Sequence, residues 1–553
     1  MTRGWRGVFW LLSAALATML LYRSHSLPLR DFRETRFAEI AREMLTRGDW
    51  VVPHLNGTPY FNKPPLVPWL VALSFSLFGI GEGPARLVSA LAVLWTALLV
   101  GWLTARLFGH GKGPLGAALF LGTPAAQYYG RMLMTDTVVM ACITTAVVAF
   151  LEGARRRQPW GYRVGWLACG LGVLAKGVIG VVYPLAALGL FLWRSERGAW
   201  RAVPWRSGVL LFSLVTLPWF LLLEARSPGF LYHSFVHQQA VRALSAEPYA
   251  FVALPRWQIV LSFLGLLGPA AFVLPWTVPA LRQPGHPSRL LWFLALVVVG
   301  SVLLAAGRNH PYTLPALPPL VVVAAGWLSA PPEAVPAWQR RLSACGLALL
   351  GAALLFCLPW LGRLLPRLSP WLDDAPTHHV MAACLAVIAV LLLASSGLLW
   401  QRRAVAAAAV VAALMLPGAV MLVQVQQRLA PVESRASLAR VLAREVPPAW
   451  PVVVADPRDR QFEGTGGWGF YARRTVHMVA FAPPRAGALQ GGRRPAWLIE
   501  VAEVAAWQAA GRPFALLATD EALRHLPLGP LPPPRAQDGK FGLWLLAAPQ
   551  RQP

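Results

Sequence analysis

Long apolar stretches recur along most of the chain, and they restrict its fold more than any other feature of the sequence. A helix needs about 20 residues to cross about 30 Å of hydrocarbon, and thirteen stretches of this 553-residue chain are candidates. Hydrophobic residues make up 56% of the chain and charged residues 13%, which leaves too little polar surface to cover a soluble core of this size. We therefore expect a mainly α-helical, polytopic membrane protein. The thirteen predicted membrane helices begin near Val8, Pro84, Pro114, Thr135, Gly161, Val178, Ser207, Trp257, Arg289, Pro311, Arg341, His378 and Ala404.

The basic residues are spread over the loops between these stretches. The net charge of +26 is therefore typical of topology signals and of contacts with anionic lipid headgroups, and it predicts no nucleic-acid partner. If the basic loops are cytoplasmic, as is usual, the short apolar run Leu66 to Ile80 does not cross the membrane and lies on its outer surface. Four charged loops then share the outer face, at residues 23–83, 131–135, 225–255 and 307–310.

The sequence pattern changes near Gln427. Beyond it, short β-like runs such as Pro451 to Val454 alternate with helix-like stretches such as Glu433 to Glu445. We expect residues 428–553 to form a small C-terminal α/β domain on the periplasmic side, with Gly464 to Gly467 as a turn. The rest is expected to divide into a catalytic membrane module, residues 1–330 with its first outer loop at 23–83, and further membrane helices at residues 331–427.

The first outer loop concentrates acids, arginines and a lysine in a chain that is otherwise short of charge. From Phe37 to Leu45 the apolar residues recur every three or four positions, which predicts an amphipathic surface helix on the outer leaflet. Asp31 and Glu34 open this helix. They are either a capping box that satisfies free backbone amides or a source of a general base for an acceptor hydroxyl.

Lys63 lies between an aromatic pair and two prolines that fix the local backbone. A rigidly presented ammonium suits a phosphate oxygen as a point charge. The alternative is an interfacial lysine whose apolar stem lies in the membrane while its charge reaches water.

Three sequence segments of this loop carry a specific resemblance. The runs RETRFAEIAREML (residues 33–45), GDWVVPHLNG (48–57) and YFNKPP (60–65) resemble the first outer loop of the aminoarabinose transferase and protein mannosyltransferase group. That group belongs to the GT-C superfamily of glycosyltransferases that use polyprenyl-phosphate sugars. The similarity extends over about the first 330 residues, and Arg36 belongs to the motif.

Two positions within the membrane helices also match the group. Asp136 resembles the acidic residue of the second outer loop, although an aspartate at a helix start can equally be an N-cap. Lys176 with Gly177 resembles a Lys-Gly pair that follows a membrane helix in the family. An ionisable residue inside a membrane is a functional candidate by default.

Four residues in later outer loops match family positions near the donor. The resemblance implies that His237 and Arg242 lie near the donor phosphate, with the histidine also serving a metal, and that Arg308 and Tyr312 lie near the lipid phosphate. A phosphate-binding set of Lys63, Arg242, Arg308 and Tyr312 is electrostatically sensible, because negative charge develops on the leaving phosphate.

The sequence departs from the family pattern in two places. The position before Glu34 is an aspartate in aminoarabinose transferases and is Arg33 here, so the candidate base becomes Glu34 or Asp31. The residue before the motif lysine is often a glutamate that helps the histidine bind zinc, whereas here it is Asn62. A divalent metal, zinc, at His237 is thus a weaker expectation, and an ionised phosphate acceptor is the one that tolerates loss of a base best.

The resemblance implies an inner-membrane glycosyltransferase with its active site on the periplasmic side. It would take a sugar from an undecaprenyl phosphate donor and pass it to a lipid or glycan acceptor such as lipid A. A protein O-mannosyltransferase-like enzyme is one alternative. A lipid-linked sugar transporter or flippase is another, in which Lys176 would act in translocation, although the sequence shows no clear internal repeat of the kind many transporters carry.

Overall fold

The computed structural model describes residues 1–193, 201, 203–232, 254–282, 288–457, 461–481 and 495–546. The chain divides into two compact units. The membrane unit comprises residues 1–24, 62–67 and 86–425, and the α/β unit comprises residues 25–61, 68–85 and 426–553. The first outer loop is therefore shared between the units, whereas the sequence favoured placing all of it in the membrane module.

Helices dominate the chain up to residue 433. Two long 3₁₀ segments, Gly268–Arg282 and His310–Ala316, interrupt the α-helices. Helices α1 to α18 occupy, in chain order, Arg3–Leu21, Thr35–Arg47, Leu66–Phe78, Glu82–Phe108, Gly113–Leu121, Pro124–Gly130, Thr135–Arg156, Pro159–Lys176, Ile179–Trp193, Trp205–Arg226, Arg256–Leu267, Ser288–Leu304, Leu317–Leu328, Ala337–Cys357, Leu361–Leu368, Ala375–Trp400, Ala404–Ala413 and Met415–Glu433.

The polytopic architecture predicted from the apolar stretches is confirmed. Among the described residues, nine helices are long and apolar enough to cross a membrane, so the chain is a multi-pass membrane protein. A helix lies at each of the thirteen predicted positions. The four outside the nine are the stretch near Pro114, which is split into α5 and α6, and helices α8, α9 and α12. Helix α3 has 13 residues, which is shorter than a membrane crossing needs.

The predicted C-terminal α/β fold is present, with a six-stranded sheet at its centre. Strand order in the sheet is β5-β4-β3-β6-β8-β7; the first four strands are parallel and the last two run antiparallel to their neighbours. Both faces of the central strands are buried, as parallel sheets require. The elements of this part are α19 (Ala436–Glu445), β3 (Val452–Ala455), α20 (Gln461–Ala472), β4 (His477–Ala480), β5 (Leu498–Glu500), α21 (Val501–Ala509), β6 (Phe514–Thr519), α22 (Asp520–Leu523), β7 (Ala536–Asp538) and β8 (Phe541–Leu546).

Helix α2 of the first loop belongs to the core of the α/β unit. Ile40 and Met44 pack in one hydrophobic cluster with Leu438 of α19 and Trp468 of α20. The predicted helix is confirmed, but its predicted place on the outer leaflet is wrong, because protein side chains cover its apolar face. Burying each large apolar side chain contributes roughly 1.5–3 kcal/mol, which makes α2 a structural part of this unit.

A two-residue hairpin follows α2. Strands β1 (His54–Leu55) and β2 (Thr58–Pro59) pair with Asn56 and Gly57 between them, both at positive φ. Asn-Gly is the preferred sequence for such a tight turn. The Asn56 side chain donates to the Val476 carbonyl at 2.9 Å and accepts from the Val476 amide at 2.8 Å, so it joins the hairpin to the start of β4.

The glycine-rich stretch Gly464 to Gly467 is helical, and its prediction as a turn was wrong. It lies within α20, which packs against α2. A Cβ atom on Gly466 would lie 2.9 Å from the Cα atom of Arg36, a distance that real Cβ atoms do not reach. Close approach of two helix backbones therefore explains Gly466, and tertiary packing overrides the poor helix propensity of the glycines in this stretch.

Candidate functional site

A buried charged cluster lies within the membrane unit. The Lys176 ammonium forms an ion pair with the Asp136 carboxylate, and the side chains are only 9% and 7% exposed. The same ammonium lies over the Tyr312 ring, 4.4 Å from its centroid. The structure thus brings together three of the residues that the sequence singled out.

Local structure explains why these side chains suit their positions. Asp136 lies in the first turn of α7, and Lys176 is the last residue of α8. Each charge therefore opposes the partial charge of its own helix end. Gly177 ends α8 at φ 89° and ψ −156°, a conformation that glycine adopts at low cost. The alternative of Asp136 as an N-cap is not the arrangement seen, because Met134 holds that position.

The ammonium has three N–H donors and Asp136 accepts from one of them. Attraction to an aromatic face strengthens when the cation is removed from water. A lysine in this setting can donate to a further oxygen, such as that of a phosphate. The cluster is thus chemically suited to an anionic ligand.

Arg308 donates to two backbone carbonyl groups. Its guanidinium donates to the Ala305 carbonyl at 2.6 Å and to the Leu254 carbonyl at 2.8 Å. Lys63 is half-buried and precedes two buried prolines at the start of α3. His237 and Arg242 lie outside the described residues, so their predicted places near the donor stay predictions.

The first-loop acids lie in the α/β unit. Asp31 forms an ion pair with Arg435, whose Nε atom is 3.0 Å from the Asp31 Oδ2 atom. Burial raises the pKa of the Asp31 carboxyl, and the Arg435 charge opposes that effect. Glu34 is fully buried and accepts from the Arg30 amide at 2.9 Å. Helix α2 begins at Thr35 and its N-cap is Glu34, without a side-chain capping bond. The capping box predicted for Asp31 and Glu34 is therefore not formed.

Other charges of the same loop are also paired inside the α/β unit. Arg36 forms an ion pair with Glu463 of α20. Glu39 accepts from Arg42 at 2.6 and 2.7 Å. Burial of Glu39 outweighs this bond and raises the pKa of its carboxyl to about 7. Arg33, by contrast, is exposed.

Three partners of the first loop could not be found from the sequence. Glu433, Arg435 and Glu463 lie about 400 positions after the loop and carry no motif of their own. Glu433 and Arg435 had one available signal, their place in a helix-like stretch of the C-terminal region, whereas Glu463 stood next to the predicted turn. Charge alone did not distinguish them from solvent-exposed residues.

The described His, Cys, Asp and Glu side chains offer little support for a metal site. Among the described residues, no three His, Cys, Asp or Glu side chains are grouped so that they could hold a metal ion. Asn62 offers a neutral amide where the family often has a carboxylate, and neutral amides are poor zinc ligands. Zinc stays a prediction tied to His237.

The sequence of this chain is similar to those of known glycosyltransferases. Residues 62–221 match the family model described as dolichyl-phosphate-mannose-protein mannosyltransferase. The undecaprenyl phosphate-alpha-4-amino-4-deoxy-L-arabinose arabinosyl transferase of Edwardsiella ictaluri is 31% identical over 355 residues, which are 61% of this chain and 61% of that protein. The protein of the same name from Aeromonas salmonicida is 31% identical over 54% of this chain and 56% of its own length. The chain thus matches about three fifths of the length of these curated relatives.

The fold is similar to a solved structure over its full length. The crystal structure of ArnT from Cupriavidus metallidurans bound to undecaprenyl phosphate has a TM-score of 0.85 and 23% identity, with 100% of both chains covered. The apo state of the same protein has a TM-score of 0.82, with 99% of both chains covered. The resemblance to ArnT-like GT-C glycosyltransferases that the first-loop motif indicated is confirmed.

Proposed function

We propose that this protein is an integral membrane glycosyltransferase that takes a sugar from undecaprenyl phosphate and passes it to a lipid or glycan acceptor such as lipid A. The observation that carries the proposal is the buried cluster of Lys176, Asp136 and Tyr312 in a fold similar to ArnT. The relatives' names, which specify a sugar on undecaprenyl phosphate, support this donor class.

Placing charges in a membrane helix bundle is costly, and such residues are usually functional. A purely structural contact between α7 and α8 could use apolar side chains, since replacing a buried ion pair by well-packed apolar residues is often neutral or stabilising. The retained lysine is better explained by an anionic ligand that it meets during the reaction.

The proposed reaction is a direct displacement at the anomeric carbon. An acceptor oxygen forms a bond to that carbon while the bond from carbon to the donor phosphate oxygen breaks. The electron pair of the broken bond stays on the undecaprenyl phosphate. Cations stabilise this developing charge. The candidates are Lys63, Arg308 and Lys176, with Tyr312 beside Lys176 and Arg242 from the part of the chain outside the described residues.

The environment of the first-loop acids favours an acceptor that needs no base. Asp31 and Glu34 are buried and engaged within the α/β unit, so neither is presented as an open carboxylate. A phosphate group is largely ionised near neutral pH and can attack without losing a proton. This supports a phosphate on the acceptor, while Glu34, Asp31 and Asp136 stay the candidate bases for a hydroxyl acceptor.

The finer topology is part of the same proposal. We place thirteen crossings at the predicted positions, with α3 lying along the membrane because it is short. The active site and the α/β unit would then face the periplasm from the bacterial inner membrane. The basic loops support this orientation through the positive-inside tendency, and introduced cysteines with an impermeant thiol reagent would test it.

The decisive experiment is a transfer assay on the full chain in nanodiscs. Purified protein receives undecaprenyl phosphate sugars, including 4-amino-4-deoxy-arabinose and mannose, with lipid A, an acceptor peptide or no acceptor, and products are identified by mass spectrometry. We expect transfer to lipid A and release of undecaprenyl phosphate. Lys176→Met should lower transfer at least 100-fold, whereas Lys112→Met, a matched lysine variant of the same unit, should not.

Two other outcomes of the transfer assay would change the proposal. Transfer only to the peptide would replace the acceptor class by that of protein mannosyltransferases. No transfer from any donor, combined with movement of the intact sugar lipid between leaflets, would overturn the proposal in favour of a flippase.

A further inference from the structure

Asp31 of the first loop is held by a cation from the C-terminal part of the chain. The side chains of Asp31 and Arg435 are 5% and 7% exposed, with Oδ2 and Nε 3.0 Å apart. Asp31 also accepts from the Thr35 hydroxyl at 3.2 Å, and its amide donates to the Glu433 carbonyl at 2.7 Å. Both the side chain and the backbone of Asp31 are therefore fixed.

Aromatic rings fix Arg435 itself. Its guanidinium lies 4.4 Å from the Phe541 ring centroid and 5.6 Å from that of Trp468. Arg435 immediately precedes α19, while the two rings come from β8 and α20. A planar guanidinium can stack and pair at the same time, which an ammonium cannot do equally well. An arginine therefore suits this position better than a lysine.

The loop turn around Asp31 is tied down at several points. Arg30 forms an ion pair with Glu433, and Arg36 forms one with Glu463. Phe32 has φ +58°, a conformation that is costly for a bulky side chain and persists only when its surroundings impose it. The α/β unit therefore imposes the shape of residues 30–36.

The place of this contact follows from sheet topology. Strand β3 has β4 on one side and β6 on the other, so the order of parallel strands reverses direction there. In open α/β sheets, ligands bind at such a point, beside the carboxyl ends of the strands. Asp456 follows β3 directly and forms an ion pair with Lys540, which precedes β8 at the same edge. Lys540 is close enough to Asp31 for its charge to act on it.

Charged side chains lie on Asp31's own loop and on the elements around it. They are Arg435 before α19, Glu433 at the end of α18, Glu463 in α20, Asp456 and Lys540 at the sheet edge, Asp538 of β7, on which the Arg435 charge also acts, and Arg30, Glu34 and Arg36 on its own loop.

We propose that the sheet edge of the α/β unit binds the Asp31 carboxylate as an internal ligand, and that Arg435 is the positioning residue for the first loop. The anchored turn opens the motif segment of residues 33–45, which belongs to the same unit, so the anchor sets how the α/β unit holds that segment. This inference rests on the proposed transfer reaction. Arg435 acts through Asp31 and does not touch substrate.

The test compares variants of the full chain in the transfer assay over a range of pH. Without Arg435 only weaker influences oppose the effect of burial on Asp31, so Asp31 takes up a proton at higher pH. For Arg435→Gln we expect a loss of at least about tenfold in kcat/KM at pH 7, and an acidic limb of the profile that lies at higher pH than in the wild type. Arg435→Lys should recover part of the rate and return the limb towards its original position.

Asp31→Asn and a matched control complete the design. Adding Asp31→Asn to Arg435→Gln should cost less than about twofold more, because the two residues act as one unit. Arg535→Gln removes an exposed pair with Glu445 at the other end of α19, and it should leave both rate and profile unchanged. A profile in Arg435→Gln that keeps its limb, whether the rate is kept or is lost equally at every pH, would overturn the positioning role.

Hydrogen exchange separates this inference from the proposed function. In Arg435→Gln, amides of residues 31–38 should exchange faster than in the Arg535→Gln control. If the wild type transfers no sugar, the proposed function fails and the anchor is judged by exchange alone. Unchanged exchange in Arg435→Gln would overturn the anchor even in an active enzyme.

Discussion

Glu39 in α2 gives the α/β unit a stability that depends on pH. Its carboxyl is 1% exposed, and burial raises its pKa from 4.5 to about 7 in spite of two bonds from Arg42. Between these values the folded protein holds a proton that the unfolded chain releases. Stability contributed by this proton is present in full below pH 4.5 and is lost as the pH rises through about 7.

The size of the effect follows from the same numbers. The interval from 4.5 to about 7 corresponds to about 3 kcal/mol. In a unit of this size, 1 kcal/mol changes Tm by roughly 2–4 °C, so the loss corresponds to roughly 6–12 °C. Glu39→Gln removes the titration. The variant also loses the ion pair with Arg42. This loss changes its stability by the same amount at every pH, because arginine stays charged throughout this range.

The assay is thermal unfolding of wild type and Glu39→Gln in one detergent at pH 4.5, 6, 7 and 8. We expect the difference in Tm, variant minus wild type, to rise by roughly 6–12 °C from the lowest to the highest pH. Gly529→Ala, in the same unit, adds and removes no titratable group and should show a constant difference. A constant difference for Glu39→Gln as well would refute the reasoning that burial dominates at this carboxyl.

Three further predictions concern packing and pairing. Lys176→Met should destabilise the protein by about 3–5 kcal/mol because it leaves Asp136 buried and unpaired, and adding Asp136→Asn should recover most of that in thermal unfolding. Gly466→Ala should lower the free energy of unfolding by about 1–3 kcal/mol, because the added methyl group pushes α20 away from α2, and the Tm should fall accordingly. Gly529→Ala, whose Cβ would meet only a flexible side chain at 3.7 Å, should leave the Tm unchanged. Asn56→Ala should lower the free energy of unfolding by about 2–4 kcal/mol, because the backbone amide and carbonyl of Val476 lose their hydrogen-bond partner. Amide exchange at Val476 should become faster.

The membrane architecture could be predicted because hydrocarbon requires long apolar helices. Each predicted start coincides with a helix, and the length of α3 explains why hydropathy alone left Leu66 to Ile80 ambiguous. The site was predictable in part. Asp136, Lys176 and Tyr312 were chosen separately, through family positions, and only the structure shows that the three side chains meet.

The first loop could not be read correctly from its own residues. Its periodicity predicted α2, but periodicity shows only that one face is apolar and not whether lipid or protein covers it. Here Leu438 and Trp468 cover it. The glycines of α20 misled the prediction for a related reason, since their purpose is contact with α2, and Gly466 has no local sequence signal for that contact.

The hairpin after α2 was predictable in principle. Asn56-Gly57 is a strong hairpin signal when short strands flank it, yet His54 to Pro59 offers only two residues on each side. Strands that short carry no alternation to recognise. The partner that stabilises this hairpin, Val476, lies 420 positions later, beyond the reach of any local rule.

The division of the α/β unit between distant chain segments has a consequence for how the protein is made. Residues 25–61 leave the ribosome after the first membrane helix, and residues 426–553 follow only after the later membrane helices. At roughly 5–20 residues per second, synthesis of the intervening chain takes roughly 20–70 s. During that time the partners of the loop's acids in residues 426–553 have not yet been synthesised. The acids therefore stay hydrated until that segment is made. The newly made protein thus acquires its complete first loop only after residues 426–553 have been synthesised.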